Sequence, residues 1–380
     1  MKHGLKKVFI LGAGCSVNCG YPLGKGLAGQ LEKFQTEISG RFPIIEQCVR
    51  DTVKLAKLFS QFDTLDQLTK HVEDDFNSWR RRERSVVWDN TDQQRENLLY
   101  KQIADAKIAT AAMFLSNEEK ARKIGFQSYE RFIASIFGGE PWQEAVKSAN
   151  CHVLTFNYDR LFEIAFPKYF HSSDFSSISL YGNQVLNSGF NNRVNGGFDK
   201  VEPTAGKFSF LKLHGSAGWW VKKNLEQLEQ RHYWSPAPTI LTNLQDIENL
   251  LTKNGIYSSE TLNRSNAATL PWEALITFPH EKQNALKNRQ HSFSYIRYLC
   301  PIWDHAASLL TSAAEVKIIG YSFSAIDSRH MVETLLNKAT QCEKIVIQNP
   351  DVQTVKAALA SYTQLNGRLE FDASSFGENL

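Results

Sequence analysis

Short apolar runs that stop abruptly at glycine, asparagine or histidine constrain this chain more than any other feature. Val8–Leu11 runs into Gly12–Ala13–Gly14–Cys15–Ser16, Val153–Phe156 into Asn157–Tyr158–Asp159, and Phe208–Leu213 into His214–Gly215–Ser216. Val316–Ile319 and Lys344–Ile347 end in the same way, at Gly320–Tyr321–Ser322–Phe323 and at Gln348–Asn349–Pro350, with Leu369–Phe371 as a candidate sixth run. Runs this short and this continuous predict strands covered on both faces, as in a parallel sheet between helix layers. The expected fold is α/β: a Rossmann-like parallel sheet with helices on both faces, plus a large helical insertion.

At 380 residues, with 42% hydrophobic and 22% charged, the chain is long enough to bury a large core and has the composition of a soluble globular protein. We expect a single domain over 1–380, its core drawn from 1–26, 150–216 and 312–372. Between the first two runs, Leu65, Leu68, Val72 and Phe76 fall at helical spacing, as do Tyr129, Phe132, Ile133, Ile136 and Phe137 before the Gly138–Gly139 stop. These place a helical insertion at 27–149. A second excursion, 217–311, opens with Trp219, Trp220, Trp234, Pro236 and Pro238 and closes with a helical stretch near Ile296–Leu310, and is expected to form a lid or interface.

A net charge of +3 lacks the concentrated basic surface of nucleic-acid binders, so direct nucleic-acid binding is not expected. Arg80–Arg82 with Arg84 is the basic cluster, read as a solvated helix face or a subunit contact. The six cysteines contain no CxxC pair, which fits neither a disulfide framework nor a four-cysteine zinc site. Reduced thiols, a cytoplasmic location and no metal are the expectation. The apolar stretch before Gly12 is too short for a signal segment or a membrane span and reads as a first strand.

Open α/β sheets bind ligands at the carboxyl ends of their strands, where these motifs would collect. Gly12–Ala13–Gly14 with Ser16 can turn tightly and aim amides at a pyrophosphate, although Val17 stands where the dehydrogenase fingerprint has its third glycine. Asn157 can hold a ribose hydroxyl or a water, and Asp159 can orient that amide or a ligand hydroxyl; Thr155 and Tyr158 flank them. The competing role for Asn157 is a cap on the helix expected near Arg160, and taken alone that role is the commoner one. His214 is the side chain best suited near neutral pH to take a proton from a sugar hydroxyl or water. Gly320 and Ser322 suit a second phosphate or ribose, and Asn349 the adenosine end of a dinucleotide.

The ordered set GAGCS, TFNYD, LHGS, GYSFSAID and QNP resembles the sirtuin superfamily, specifically its bacterial branch of anti-phage defence proteins. PWEALITFPHEKQ and IWDHAASLL also resemble segments of that branch. The resemblance implies NAD+ as the substrate bound. It implies a phosphate turn of Gly12, Ala13, Gly14 and Ser16, and catalytic roles for Asn157 and His214. It implies NAD-binding roles for Thr155, Asp159, Gly320, Ser322 and Asn349. Deacylating sirtuins carry a four-cysteine zinc module after the histidine and a Phe-Arg pair after the glycine turn. Here residues 217 to 311 hold one cysteine, Cys300, and the turn continues as GYPLGKGL. The implied activity is therefore NAD+ glycohydrolysis to nicotinamide and ADP-ribose. A protein deacylase or ADP-ribosyltransferase and a non-catalytic NAD+ or ADP-ribose sensor remain the alternatives. The same resemblance implies a homo-oligomer and a HerA-type hexameric ATPase as partner.

Overall fold

The computed structural model describes residues 6–82, 90–173, 175, 180–181, 192–194, 197–199, 208–222, 239–252, 272–281, 299–323 and 331–378. Each of the six apolar runs becomes a strand: β1 (Lys7–Leu11), β2 (Cys151–Thr155), β5 (Phe210–Lys212), β9 (Glu315–Ile319), β10 (Lys344–Gln348) and β11 (Leu369–Asp372). A short antiparallel ribbon, β3 (Asn192–Val194) with β4 (Gly197–Asp199), precedes β5. The six strands form one sheet in the order β11-β10-β9-β1-β2-β5, and every neighbouring pair is parallel. From the central β1 the chain steps to β2 and β5 on one side, then returns to β9 and steps outward through β10 and β11 on the other. The strand order thus reverses between β1 and β9, the kind of position beside which open α/β sheets bind ligands.

The helices are α1 (Leu27–Ile38), α2 (Pro43–Leu58), α3 (Leu65–Arg82), α4 (Asn90–Ile124), α5 (Gln127–Phe137), α6 (Trp142–Ser148), α7 (Leu161–Tyr169), α8 (Leu244–Thr252), α9 (Cys300–Thr311) and α10 (Val352–Leu359). The apolar spacing read in 65–76 and 129–137 lies within α3 and α5, and Gly138 ends α5 at a positive φ of 66°, a conformation that suits glycine. None of the described helices is long and apolar enough to cross a membrane. The side chains of Arg80–Arg84 lie outside the described residues.

The chain forms two compact units. One holds the six-stranded sheet (1–21, 118–215 and 282–380); the other comprises 22–117 and 216–281. Both expected insertions are therefore divided between the units. Residues 118–149 go with the sheet because α5 packs on it: Phe132 lies edge-on to Phe9 of β1 and to Phe162 of α7, which in turn stacks on Phe210 of β5. The second unit holds a small sheet that the sequence pattern did not announce, in the order β7 (Thr239–Ile240), β6 (Gly215–Lys222), β8 (Trp272–Ile276). Trp219, Trp220 and Val221 are fully buried in β6, so the first two tryptophans of the second excursion are core; Trp234, Pro236 and Pro238 lie outside the described residues. The expected run Phe208–Leu213 shortens to Phe210–Lys212, and His214 occupies the two-residue turn between β5 and β6.

Candidate functional site

Two backbone turns meet at the carboxyl ends of β1 and β9. Beyond β1, Gly12 N donates to Ile319 O and Gly14 N to Gly320 O, both at 2.8 Å. A Cβ at Gly12 would sit 2.6 Å from Gly320 O and from Tyr321 Cα, so the two main chains are too close for any side chain there. Gly320 also has φ +64°, which favours glycine for a second reason. With Cys15 N given to Gly12 O, three of the turn's amides are spent inside the fold. Its glycines are thus explained first by backbone approach, and Ala13 is the exposed residue of the tight turn. Ser322 is likewise exposed on the opposing loop, before Phe323, which is buried at φ 52°.

Ser16 has no hydrogen-bonding capacity left for a phosphate. Its hydroxyl donates to Asp159 Oδ2 at 2.6 Å and faces Tyr129 OH at 2.9 Å and Asn157 Nδ2 at 3.1 Å. One hydroxyl has one proton and two lone pairs. With the proton on Asp159, the tyrosine and the amide must both donate to Ser16.

Asn157 follows β2 and does not cap the next helix, whose N-cap is Arg160. Asp159, just before that cap, accepts from Leu161 N through Oδ1 at 3.1 Å at the start of α7. Asn157 instead gives Nδ2 to Gly12 O (3.0 Å) and to Ser16, while its backbone N–H donates to Thr155 Oγ1 (3.1 Å). Both amide protons are used, and Oδ1, buried, has no hydrogen-bond partner among the described residues. Asp159 does its work through Ser16. Burial raises its carboxyl above the ordinary range, against the opposing pull of Lys212, the Ser16 hydroxyl and the Leu161 amide.

Thr155 of β2 pairs with Lys212 of β5, and Leu213 N donates to Thr155 O at 2.8 Å. Asn157 and His214 each lie two residues beyond that pair, on adjacent strand ends, 6% and 4% exposed. Aromatic rings surround the imidazole: Phe156 meets it edge-on at 4.8 Å and Tyr158 lies at 5.8 Å. Phe156 also contacts Trp303 and Tyr321, and Trp303 Nε1 donates to Leu213 O at 2.8 Å, bracing the strand end before His214.

Asn349, expected at the adenosine end, ties strand ends together. Nδ2 donates to Tyr321 O at 2.9 Å, Oδ1 accepts from Asp351 N at 2.8 Å, and its backbone N–H donates to Asp372 O at 2.9 Å. Asp327 of the same motif set lies outside the described residues.

No protein-family model and no curated protein matches the chain. Among solved structures it is similar to one described as the crystal structure of a Sir2 homolog–NAD complex. That match has 11% identity and a TM-score of 0.40 and covers 99% of this chain and 86% of that one.

The cysteines do not supply a nucleophile here. Cys15 is buried with Sγ donating to Ile319 O, and burial pushes its thiol far up; burial likewise raises Cys19, to about 11. Among the described residues, no group of three or more His, Cys, Asp or Glu side chains could hold a metal ion. The remaining chemical inventory is an unpaired amide oxygen and an imidazole in an aromatic frame. Four residues that support them had been given no role from sequence: Tyr129, Glu163, Tyr181 and Lys212. For Lys212 a signal existed, since a lysine inside an apolar strand must find a carboxylate.

Proposed function

We propose that this chain is an NAD+ glycohydrolase that releases nicotinamide and ADP-ribose, and that it acts as an anti-phage effector by depleting NAD+. The observation that carries the proposal is the unpaired Oδ1 of Asn157, held by a fully used NH2 group next to the strand end that bears His214. A buried acceptor without a donor is costly unless a ligand or water supplies one. A ribose hydroxyl or an attacking water would do so.

Cleavage of the bond between ribose C1′ and the nicotinamide nitrogen passes through an oxocarbenium-like sugar, as glycoside hydrolysis generally does. The bonding pair leaves with the nicotinamide nitrogen and neutralises its positive charge, so the leaving group needs no proton. Water then adds to C1′ and its proton departs to a base. Asn157 Oδ1 orients the sugar or the water, and His214 takes a proton from a ribose hydroxyl or from that water. The aromatic rings around His214 limit competing solvent.

Depleting NAD+ harms the host unless gated, and the burial of Asn157 Oδ1 is consistent with an activity that is off in the isolated chain. A homo-oligomer or a HerA-type hexameric ATPase is the proposed gate. The test is nicotinamide release from NAD+ by the purified chain, alone and with such a partner. Asn157→Ala and His214→Ala should each lower release by about 10²–10⁴-fold while the circular dichroism spectrum is retained. Full turnover in either variant defeats the proposal. Strict dependence on an acyl-lysine peptide would favour a deacylase, and calorimetric NAD+ binding without product a sensor.

A further inference from the structure

Lys212 precedes His214 by two residues and is 1% exposed. Its ammonium donates to the backbone oxygen of Asp159 and pairs with Glu163 Oε1 at 3.1 Å. Glu163, in the first turn of α7, accepts from Tyr181 OH on the same oxygen at 2.9 Å; its Oε2 has no hydrogen-bond partner among the described residues. A wholly buried ammonium is an expensive way to fill a buried position of β5, the edge strand of the sheet, where valine or isoleucine would do. What Lys212 accomplishes that an apolar side chain cannot is a bond between the strand bearing His214 and the turn bearing Asn157. The bond falls on Asp159, and Asp159 holds Ser16, which holds the Asn157 amide.

We infer that Lys212, held in place by Glu163, is the positioning residue that sets the Asn157 amide against His214. Lys212 touches neither the sugar nor the water; it acts through Asp159. The inference rests on the hydrolytic function proposed above, and it names the part of the fold that sets the geometry of that site.

The experiment compares nicotinamide release and thermal unfolding for the full chain and for Lys212→Met, Lys212→Arg and Glu163→Gln. Lys107→Met, which removes a second buried lysine from the other unit, is the control. Misplacement of catalytic groups by about an ångström typically costs about 100-fold. Lys212→Met should therefore lower kcat by about 100-fold with KM changed less than about threefold. Lys212→Arg, which keeps charge and donors, should recover part of the rate, and Glu163→Gln should lower kcat about tenfold by loosening the lysine. Lys107→Met should lose thermal stability with kcat unchanged. A Lys212→Met chain that melts earlier but keeps its kcat overturns the inference. If that variant does not fold, Glu163→Gln decides, and an unchanged kcat there overturns it equally. A wild-type chain that releases no nicotinamide under any condition defeats the hydrolytic function itself, and the inference falls with it.

Discussion

Each unit buries a lysine almost completely, and the two lysines end in different surroundings. Lys107 of α4, 2% exposed, lies 2.9 Å from Glu273 and 2.8 Å from Glu281. Beside Glu281, His280 donates its backbone N–H to Asp66 Oδ1 and sets its two ring nitrogens against Asp66 and Glu73 of α3. Every cation in that cluster faces carboxylates, and the cluster ties α3, α4 and β8 into one body. Lys212 instead meets one carboxylate and one backbone carbonyl, and the bonds continue through Asp159 and Ser16 to an amide whose oxygen is unpaired. The same residue type is buried for opposite reasons. A network that closes on itself holds a fold together, whereas one that ends in an open acceptor presents a group to a ligand.

The sharpest way to break this comparison is to remove Lys107. Lys107→Met leaves Glu273 and Glu281 without their shared cation, and breaking a buried ion pair from one side typically costs about 3–5 kcal/mol. Denaturant unfolding should show that loss, and adding Glu273→Gln should recover part of it by removing one stranded charge. An unchanged unfolding midpoint in Lys107→Met would mean that this cluster does not hold the second unit together.

The sequence disclosed the sheet unit more fully than the other, for a physical reason. Parallel strands buried on both faces are continuous apolar runs, and each carboxyl end shows its turn residue, so β1, β2, β5, β9, β10 and β11 could be read directly along with Asn157 and His214. Strand β6 was hidden because Gly215–Ser216–Ala217–Gly218 does not look apolar, although the tryptophans that follow are core. Roles inside the site were less legible than positions. Asn157 reads as a helix cap or a ligand-holding amide and Asp159 as an orienting carboxylate, and the direction of each side chain decides: Asp159 accepts from the first amide of α7 and Asn157 turns toward Gly12. The need for Gly12 and Gly14 likewise comes from the nearness of Gly320, some three hundred residues away in the chain.

A pH series should separate the two units. Burial opposes the charge on His280, but the hydrogen bonds that its ring donates to Asp66 and Glu73, with the nearby Glu281 charge, outweigh it and raise its pKa from 6.5 to about 9. The folded form therefore holds this proton more tightly than the unfolded one. The stabilisation is complete below about pH 6.5 and disappears as pH rises through about 9, for a change of about 3 kcal/mol. His152 of β2 shows the reverse: burial, reinforced by repulsion from His305 and Lys6, lowers it to about 4. Its contribution is lost as pH falls from about 6.5 toward 4. Amide hydrogen exchange should then show alkali loosening α3 and β8 first, and acid loosening β2 first. Alkaline loosening that persists undiminished in His280→Gln would assign that loss to another group.

The smallest effect tests whether the hydroxyl chain or the lysine sets Asn157. Tyr129→Phe removes a donor to Ser16 at 2.9 Å but leaves Ser16 bonded to Asp159 and to the asparagine amide. One neutral hydrogen bond of this kind is worth about 1 kcal/mol, so the unfolding midpoint should move slightly and nicotinamide release by no more than about threefold. Asp159 and Asn157 would keep their places, because the bond from Lys212 to the Asp159 carbonyl is untouched. If Tyr129→Phe lowers kcat as much as Lys212→Met does, the geometry of the amide is instead set from the α5 side of Ser16, and the lysine serves the sheet unit as Lys107 serves the other.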